Sequence, residues 1–255
     1  MSEESAVRGK FVWHDLVTAD IAKARAYYTA LFGWTVQDME MPGGVYPLFS
    51  IGDEGLGGFV AAGDGVPAHW IGYVAVDDVD QVVAKATELG ATVKQAAQDI
   101  PGVGRWAVLQ DPAGAFVSPF RGNSAAPPET DAQPQAGAFC WDELLSPDPA
   151  VTGPFYTGIF SWRQEDQDMG AKGFYHLFKR GDKNAAGMMK NPQPGQPASW
   201  MPYVAVADTD AAAARIKELG GTVCAGPQNI PNVGRFAVSL DPTGAIFGVL
   251  GPNVE

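Results

Sequence analysis

The chain has 255 residues, a formal net charge of −12, 46% hydrophobic and 18% charged residues. That is the composition of a folded globular protein long enough for two ordinary domains, each with its own core. The acidic balance argues against nucleic acid or an anionic membrane as a partner, because both call for a basic face.

The N-terminal MSEESAVRGKF is polar and acidic, without the apolar core of a signal peptide, and no later run reaches membrane-spanning length. The sequence therefore reads as cytoplasmic. A short strand pattern over 11–17 leads to Asp20, a good helix N-cap. Apolar residues at Ile21, Ala24, Tyr28, Leu31 and Phe32 follow on a helical period, and Gly33 stops it. Strands are expected at 35–40, 45–51 and 57–61. The cycle then restarts: a strand over 70–76, a helix capped by Asp77 or Asp78 and ended by Gly90, and strands at 92–98, 105–109 and 115–120. The last two are joined by the turn DPAG.

All of this is written twice. IPGVGRWAVLQDPAGAFVSPF from Ile100 returns about 130 residues later as IPNVGRFAVSLDPTGAIFGVL from Ile230. FVWHDLVTAD answers FCWDELLSPD, AYYTALFGW answers PFYTGIFSW, and WIGYVAVDDVD answers WMPYVAVADTD. The expected organisation is a first domain over 1–121, an exposed Pro- and Ala-rich linker over 122–136, and a second domain over 137–255. The class is α+β, with the unit βαβββ used four times. Cys140 and Cys224 have no CxxC spacing, so zinc-knuckle and disulfide scaffolds are excluded. No Walker-type GK[ST] or G-x-S-x-G elbow is present.

The helix pattern D-x6-Y-Y-x3-F-G-W, the V-x-V-D-D-V-D before the second helix and the D-P-x-G-A turn together resemble the vicinal oxygen chelate superfamily. That superfamily includes glyoxalases, bleomycin-resistance-type binding proteins and extradiol dioxygenases, and the likeness is to tandem glyoxalase-like proteins of actinobacterial type. The resemblance covers nearly the whole chain outside the linker. It implies that each domain's two βαβββ units curl into a partly open β-barrel around a cavity. In metal-using members, the resemblance places ligands on the first, fourth, fifth and eighth strands of a domain. Those positions hold Trp13, a residue near Gly58, Ile71 and Ser118 in one copy, and Trp141, a residue near Gly187, Met201 and Gly248 in the other. None is a His, Gln or Glu. The ligand positions thus support no metal cofactor, and a divalent metal would need an atypical set drawn from His14, His69 and His176. For all three a structural or surface role is the simpler reading.

Strand parity from the same positions puts Trp13, Asp15, Tyr73, Ser118 and Phe120 inside one cup. Trp141, Glu143, Met201 and Tyr203 are their counterparts in the other. An aromatic wall with an acid and a phenol suits a small-molecule pocket. Asp15 and Glu143 are the candidate catalytic bases, unless each is only neutralised by backbone or by Arg105 or Arg235. Those arginines, from the repeated V-G-R, either clamp an anionic ligand or tie down a loop. The expected function is sequestration of a small, partly aromatic molecule in the barrel cavities. A lyase or dioxygenase reading, metal-dependent or metal-free, stands as the alternative, and a structural protein with filled cups as a third. Tandem domains that pair with each other would make a monomer, and a homodimer stays open.

Overall fold

The computed structural model describes residues 8–41, 44–123, 134–170 and 173–254. The first repeat supplies β1 (Phe11–Thr18), α1 (Ile21–Phe32), β2 (Thr35–Met41), β3 (Gly44–Ile51) and β4 (Glu54–Ala61). It continues with β5 (His69–Ala75), α2 (Val79–Glu88), β6 (Thr92–Ile100), β7 (Gly104–Gln110) and β8 (Phe116–Gly122). The second supplies β9 (Phe139–Ser146), α3 (Pro149–Phe160), β10 (Arg163–Asp168), β11 (Phe174–Arg180) and β12 (Lys183–Lys190). It ends with β13 (Ser199–Ala205), α4 (Thr209–Glu218), β14 (Thr222–Ile230), β15 (Gly234–Leu240) and β16 (Ile246–Gly251). The βαβββ unit therefore occurs four times, as expected. The expected linker lies largely outside the described residues, and β8 takes in its first residue, Gly122.

Local chemistry accounts for the element ends. Asp20 accepts from the Lys23 N–H, and Gly33 closes α1 in the left-handed region at φ 73°. Of the two caps expected for α2, Asp78 is the one used, accepting from the Gln81 N–H at 3.0 Å. In the DPAG turn, Asp111 Oδ1 accepts from the backbone N–H groups of Ala113 and Ala115 at 2.8 and 2.9 Å. The chain can therefore reverse tightly between β7 and β8.

The strands form two eight-stranded sheets, in the orders β2-β3-β4-β1-β5-β8-β7-β6 and β10-β11-β12-β9-β13-β16-β15-β14. Each helix returns the chain across its sheet, and the meander that follows brings β4 parallel to β1 with Asp15 opposite Gly58. In the same way β12 lies parallel to β9, with Glu143 opposite Gly187. Among the described residues no helix is long and apolar enough to cross a membrane.

Compact packing divides the chain differently from the repeats. One unit comprises residues 1–13, 71–132 and 142–200, the other residues 14–70, 133–141 and 201–255. Each therefore combines one βαβββ segment of the first repeat with one of the second. In the first unit α2 meets α3, and Phe11, Leu109, Val117, Tyr156, Trp162, Phe178 and Trp200 share a core. In the second α1 meets α4, and Tyr28, Trp34, Phe49, Trp70 and Phe247 share another. The tryptophan that follows each first helix anchors one of these cores. Trp34 stacks on Phe49 at 4.4 Å between ring centroids and donates to the Gly137 carbonyl at 2.7 Å. Trp162 donates to the Gly9 carbonyl at 2.8 Å. A buried indole contributes large apolar area but needs a partner for its N–H, and both have one.

Candidate functional site

Asp15 and Glu143 are both buried, at 4% and 7% exposure. An ionisable group so placed needs compensation. Each accepts a hydrogen bond from a phenol. Tyr46, on β3, donates to Asp15 Oδ1 at 2.5 Å, and Tyr175, on β11, donates to Glu143 Oε2 at 3.0 Å.

Each tyrosine reaches its acid by passing over a glycine. A Cβ placed on Gly58 would collide with the ring and hydroxyl of Tyr46, and one on Gly187 with those of Tyr175. In each copy the fourth-strand position thus gives its space to a phenol that bonds the carboxylate on the neighbouring strand. Sequence reasoning missed both tyrosines. Their equivalent places in the two repeats, one residue before Pro47 and His176, were the available signal.

The eighth-strand positions differ between copies. Gly248 lies opposite Tyr203 in the β13–β16 ladder, and a Cβ there would strike the Tyr203 ring. In the first copy Ser118 stands opposite Tyr73. Ser118 is fully buried, its hydroxyl 3.5 Å from the Pro119 carbonyl. The Tyr73 ring lies 6.0 Å from Trp106 and 6.2 Å from Phe120. Met201 is buried, while Trp13, Trp141 and Phe120 are half-buried.

Arg105 and Arg235 are both engaged by acids of the following pattern. Arg105 donates from Nε and Nη2 to the two Asp80 oxygens at 2.7 and 2.8 Å, and from Nη1 to Asp99 at 3.3 Å. Arg235 makes the same fork with Asp210 at 2.7 and 2.9 Å. These forks tie β7 to α2 and β15 to α4. The pairing holds Asp80 and Asp210 below the usual carboxylate range, because a guanidinium favours the charged form.

His14 is buried, its ring 4.0 Å from that of Phe139. His69 sets Nδ1 2.8 Å from the Pro67 carbonyl, and burial lowers its pKa. His176 sets Nδ1 2.7 Å from Asp166 on the neighbouring strand. Among the described residues no group of three or more His, Cys, Asp or Glu is placed to hold a metal ion. The positions that would carry ligands hold indoles, Ile71, the Met201 thioether, a serine and glycines. Three of those glycines leave their space to tyrosine rings.

Comparison with known proteins agrees with this architecture. A bleomycin resistance protein-like N-terminal profile matches residues 10–52, and a glyoxalase-like domain profile matches residues 138–250. CFP32 of Mycobacterium tuberculosis, named as a glyoxylase, is 39% identical over 246 residues, covering 94% of either chain. The chain belongs to the vicinal oxygen chelate superfamily. Another member, the anthracycline biosynthesis protein DnrV of Streptomyces peucetius, is 33% identical over 264 residues, covering 95% of this chain and 93% of its own. The Mn(II)-bound glyoxalase of Novosphingobium aromaticivorans shares the superfamily fold, with a TM-score of 0.68 over 97% of this chain and 83% of its own, at 16% identity. So does the 2,3-dioxygenase LapB of Pseudomonas sp. KL28, with a TM-score of 0.64 over 96% and 92%, at 12% identity. At such identities the likeness extends to the fold alone.

The most specific polar feature of the site is its pair of phenol–carboxylate contacts. A carboxylate beside a phenol accepts hydrogen bonds from ligand N–H or O–H groups and favours a cationic ligand centre. It can also take up a proton, with the phenol steadying the charge that forms and disappears.

Proposed function

We propose that this superfamily member binds a small, partly aromatic molecule without a metal, in a sequestering or resistance-type role. The observation that carries the reading is the replacement of the fourth-strand ligand by glycine, with Tyr46 and Tyr175 laid over it onto Asp15 and Glu143. That arrangement supplies polar groups for orienting a ligand where a metal-using relative would chelate one. The name of the anthracycline biosynthesis relative points to a planar aromatic natural product as the ligand class.

The test combines metal analysis with ligand binding. Protein purified after growth with iron, zinc, nickel and manganese should carry well under one metal per chain by ICP-MS. Native mass spectrometry against a panel of neutral and cationic polycyclic aromatics should then find a bound ligand. A stoichiometric metal, or no ligand at all, would overturn the reading.

A second reading is metal-free catalysis, with Asp15 or Glu143 as general base. The buried phenol–carboxylate contact favours it, since a carboxylate can take up a proton while the phenol holds it in place. Once a turned-over substrate is in hand, unchanged turnover in D15N and E143Q would remove it.

A further inference from the structure

Trp106, on β7, has an indole N–H that is buried and finds no hydrogen-bond partner among the described residues. Of the core tryptophans, Trp34 and Trp162 donate to a backbone carbonyl, while Trp70, inside a core of aromatic rings, shares the lack of a partner. A buried, unsatisfied donor costs free energy, and such atoms call for a missing partner.

The surroundings of that N–H are specific. Trp106 stands opposite Phe120 in the β7–β8 ladder, while Tyr73 stands opposite Ser118 in β5–β8. Directly opposed residues, and those two apart on a strand, share a face. Tyr73, Trp106, Ser118 and Phe120 therefore lie on one face of β5, β7 and β8. The alternate residues Val74, Leu109 and Val117 lie on the other face, inside the core with Ala86 of α2. None of the four belongs to that core, yet Tyr73 and Ser118 are buried. Ser118 stands opposite Tyr73 where Gly248 stands opposite Tyr203, and the Tyr73 ring lies 6.0 Å from Trp106 and 6.2 Å from Phe120.

The second repeat lacks this arrangement. The counterparts of Trp106 and Phe120 are Phe236 and Leu250, paired in the same register, and Tyr203 lies down on Gly248. At those two matching positions the second repeat has one ring, Phe236, and no indole donor.

We infer that Tyr73, Trp106, Ser118 and Phe120 form an aromatic binding site particular to the first repeat, which takes a planar polycyclic ligand with a carbonyl or quinone oxygen accepting from Trp106 Nε1. The inference rests on the reading that the protein binds a small aromatic molecule, and adds to it the ligand's acceptor, the donor and the inequality of the repeats. The rings supply stacking and edge contacts, and the indole N–H sets the orientation.

The experiment is calorimetric titration of the full chain and its W106F variant with two probes. One is a 9,10-anthraquinone carrying a short polyethylene glycol chain, and the other is the matching anthracene without carbonyls. Phenylalanine keeps an aromatic ring and is the residue the second repeat carries. The expected result is one high-affinity quinone site per chain, weakened roughly five- to tenfold by W106F, with the anthracene changed less than twofold. Two equivalent quinone sites, or W106F acting equally or not at all on both probes, would overturn the inference and leave the binding reading standing. Failure of the unaltered chain to bind either probe would overturn both. Circular dichroism and an unchanged unfolding midpoint confirm that W106F is folded.

Discussion

Tyr28, on α1, donates its phenol to Asp241 Oδ2 at 3.0 Å across 213 residues of chain. Tyr156, on α3, makes the equivalent bond to Asp111 Oδ2 at 2.8 Å. Both link the first helix of one repeat to the Asp-Pro turn of the other. Asp241 and Asp111 also hold their own turns together through Oδ1, so one carboxylate joins a local reversal to a long-range contact. Burial raises the Asp111 pKa, which is the cost of keeping it in the interior.

Removing the Tyr28 hydroxyl leaves the turn intact but takes a donor from a buried acid. Y28F should lower stability by about 1.5–3 kcal/mol, the range for hydrogen bonds to charged groups. Y156F should do the same. Urea unfolding followed by tryptophan fluorescence checks both, and a loss below a few tenths would mean the bond is replaced by water.

The glycines under Tyr46 and Tyr175 are required by contact. G58A and G187A should each destabilise by about 1–3 kcal/mol, because the added methyl must displace a ring and its bond to the acid. Pairing G58A with Y46A should recover part of that loss. A double-mutant cycle with no coupling would show that the ring does not lie where the structure places it.

The arginine forks should matter for stability and not for ligand affinity. R105K and R235K lose the second hydrogen bond to Asp80 and Asp210, since an ammonium cannot reproduce the fork. A small drop in unfolding midpoint with unchanged ligand affinity is expected. An affinity loss with an unchanged midpoint would restore the anion-clamp role.

His69 makes stability depend on pH near neutrality. Burial lowers its pKa below the ordinary 6.5, so between the two values the folded chain holds fewer protons than the unfolded chain. The contribution is complete above about 6.5 and is lost as pH falls through the lowered value. The stability difference between the natural chain and H69N should therefore shift against the natural chain from pH 7.5 to pH 5. Denaturant midpoints at several pH values read this, and parallel profiles would exclude it.

Much of the fold is legible in the sequence because its determinants are local. Asp20, Asp78, Asp148 and Asp208 cap helices within a few residues of themselves. The apolar periods, the glycine stops and the Asp-Pro turns give the order of elements, and the duplication gives two sheets.

Two things were decided only in three dimensions. The sequence does not say which βαβββ segment shares a core with which, because all four present similar apolar helix and strand faces. The choice rests on contacts such as Tyr28 with Asp241, whose geometry exists only after the sheets have formed. Nor does it say that phenols reach Asp15 and Glu143. Tyr46 and Tyr175 lie two strands away from their acids, brought close by ladder register and by glycines too small to block the way. A carboxylate's need for a partner can be inferred from its burial pattern, but the partner is chosen by which side chain can physically cross the gap.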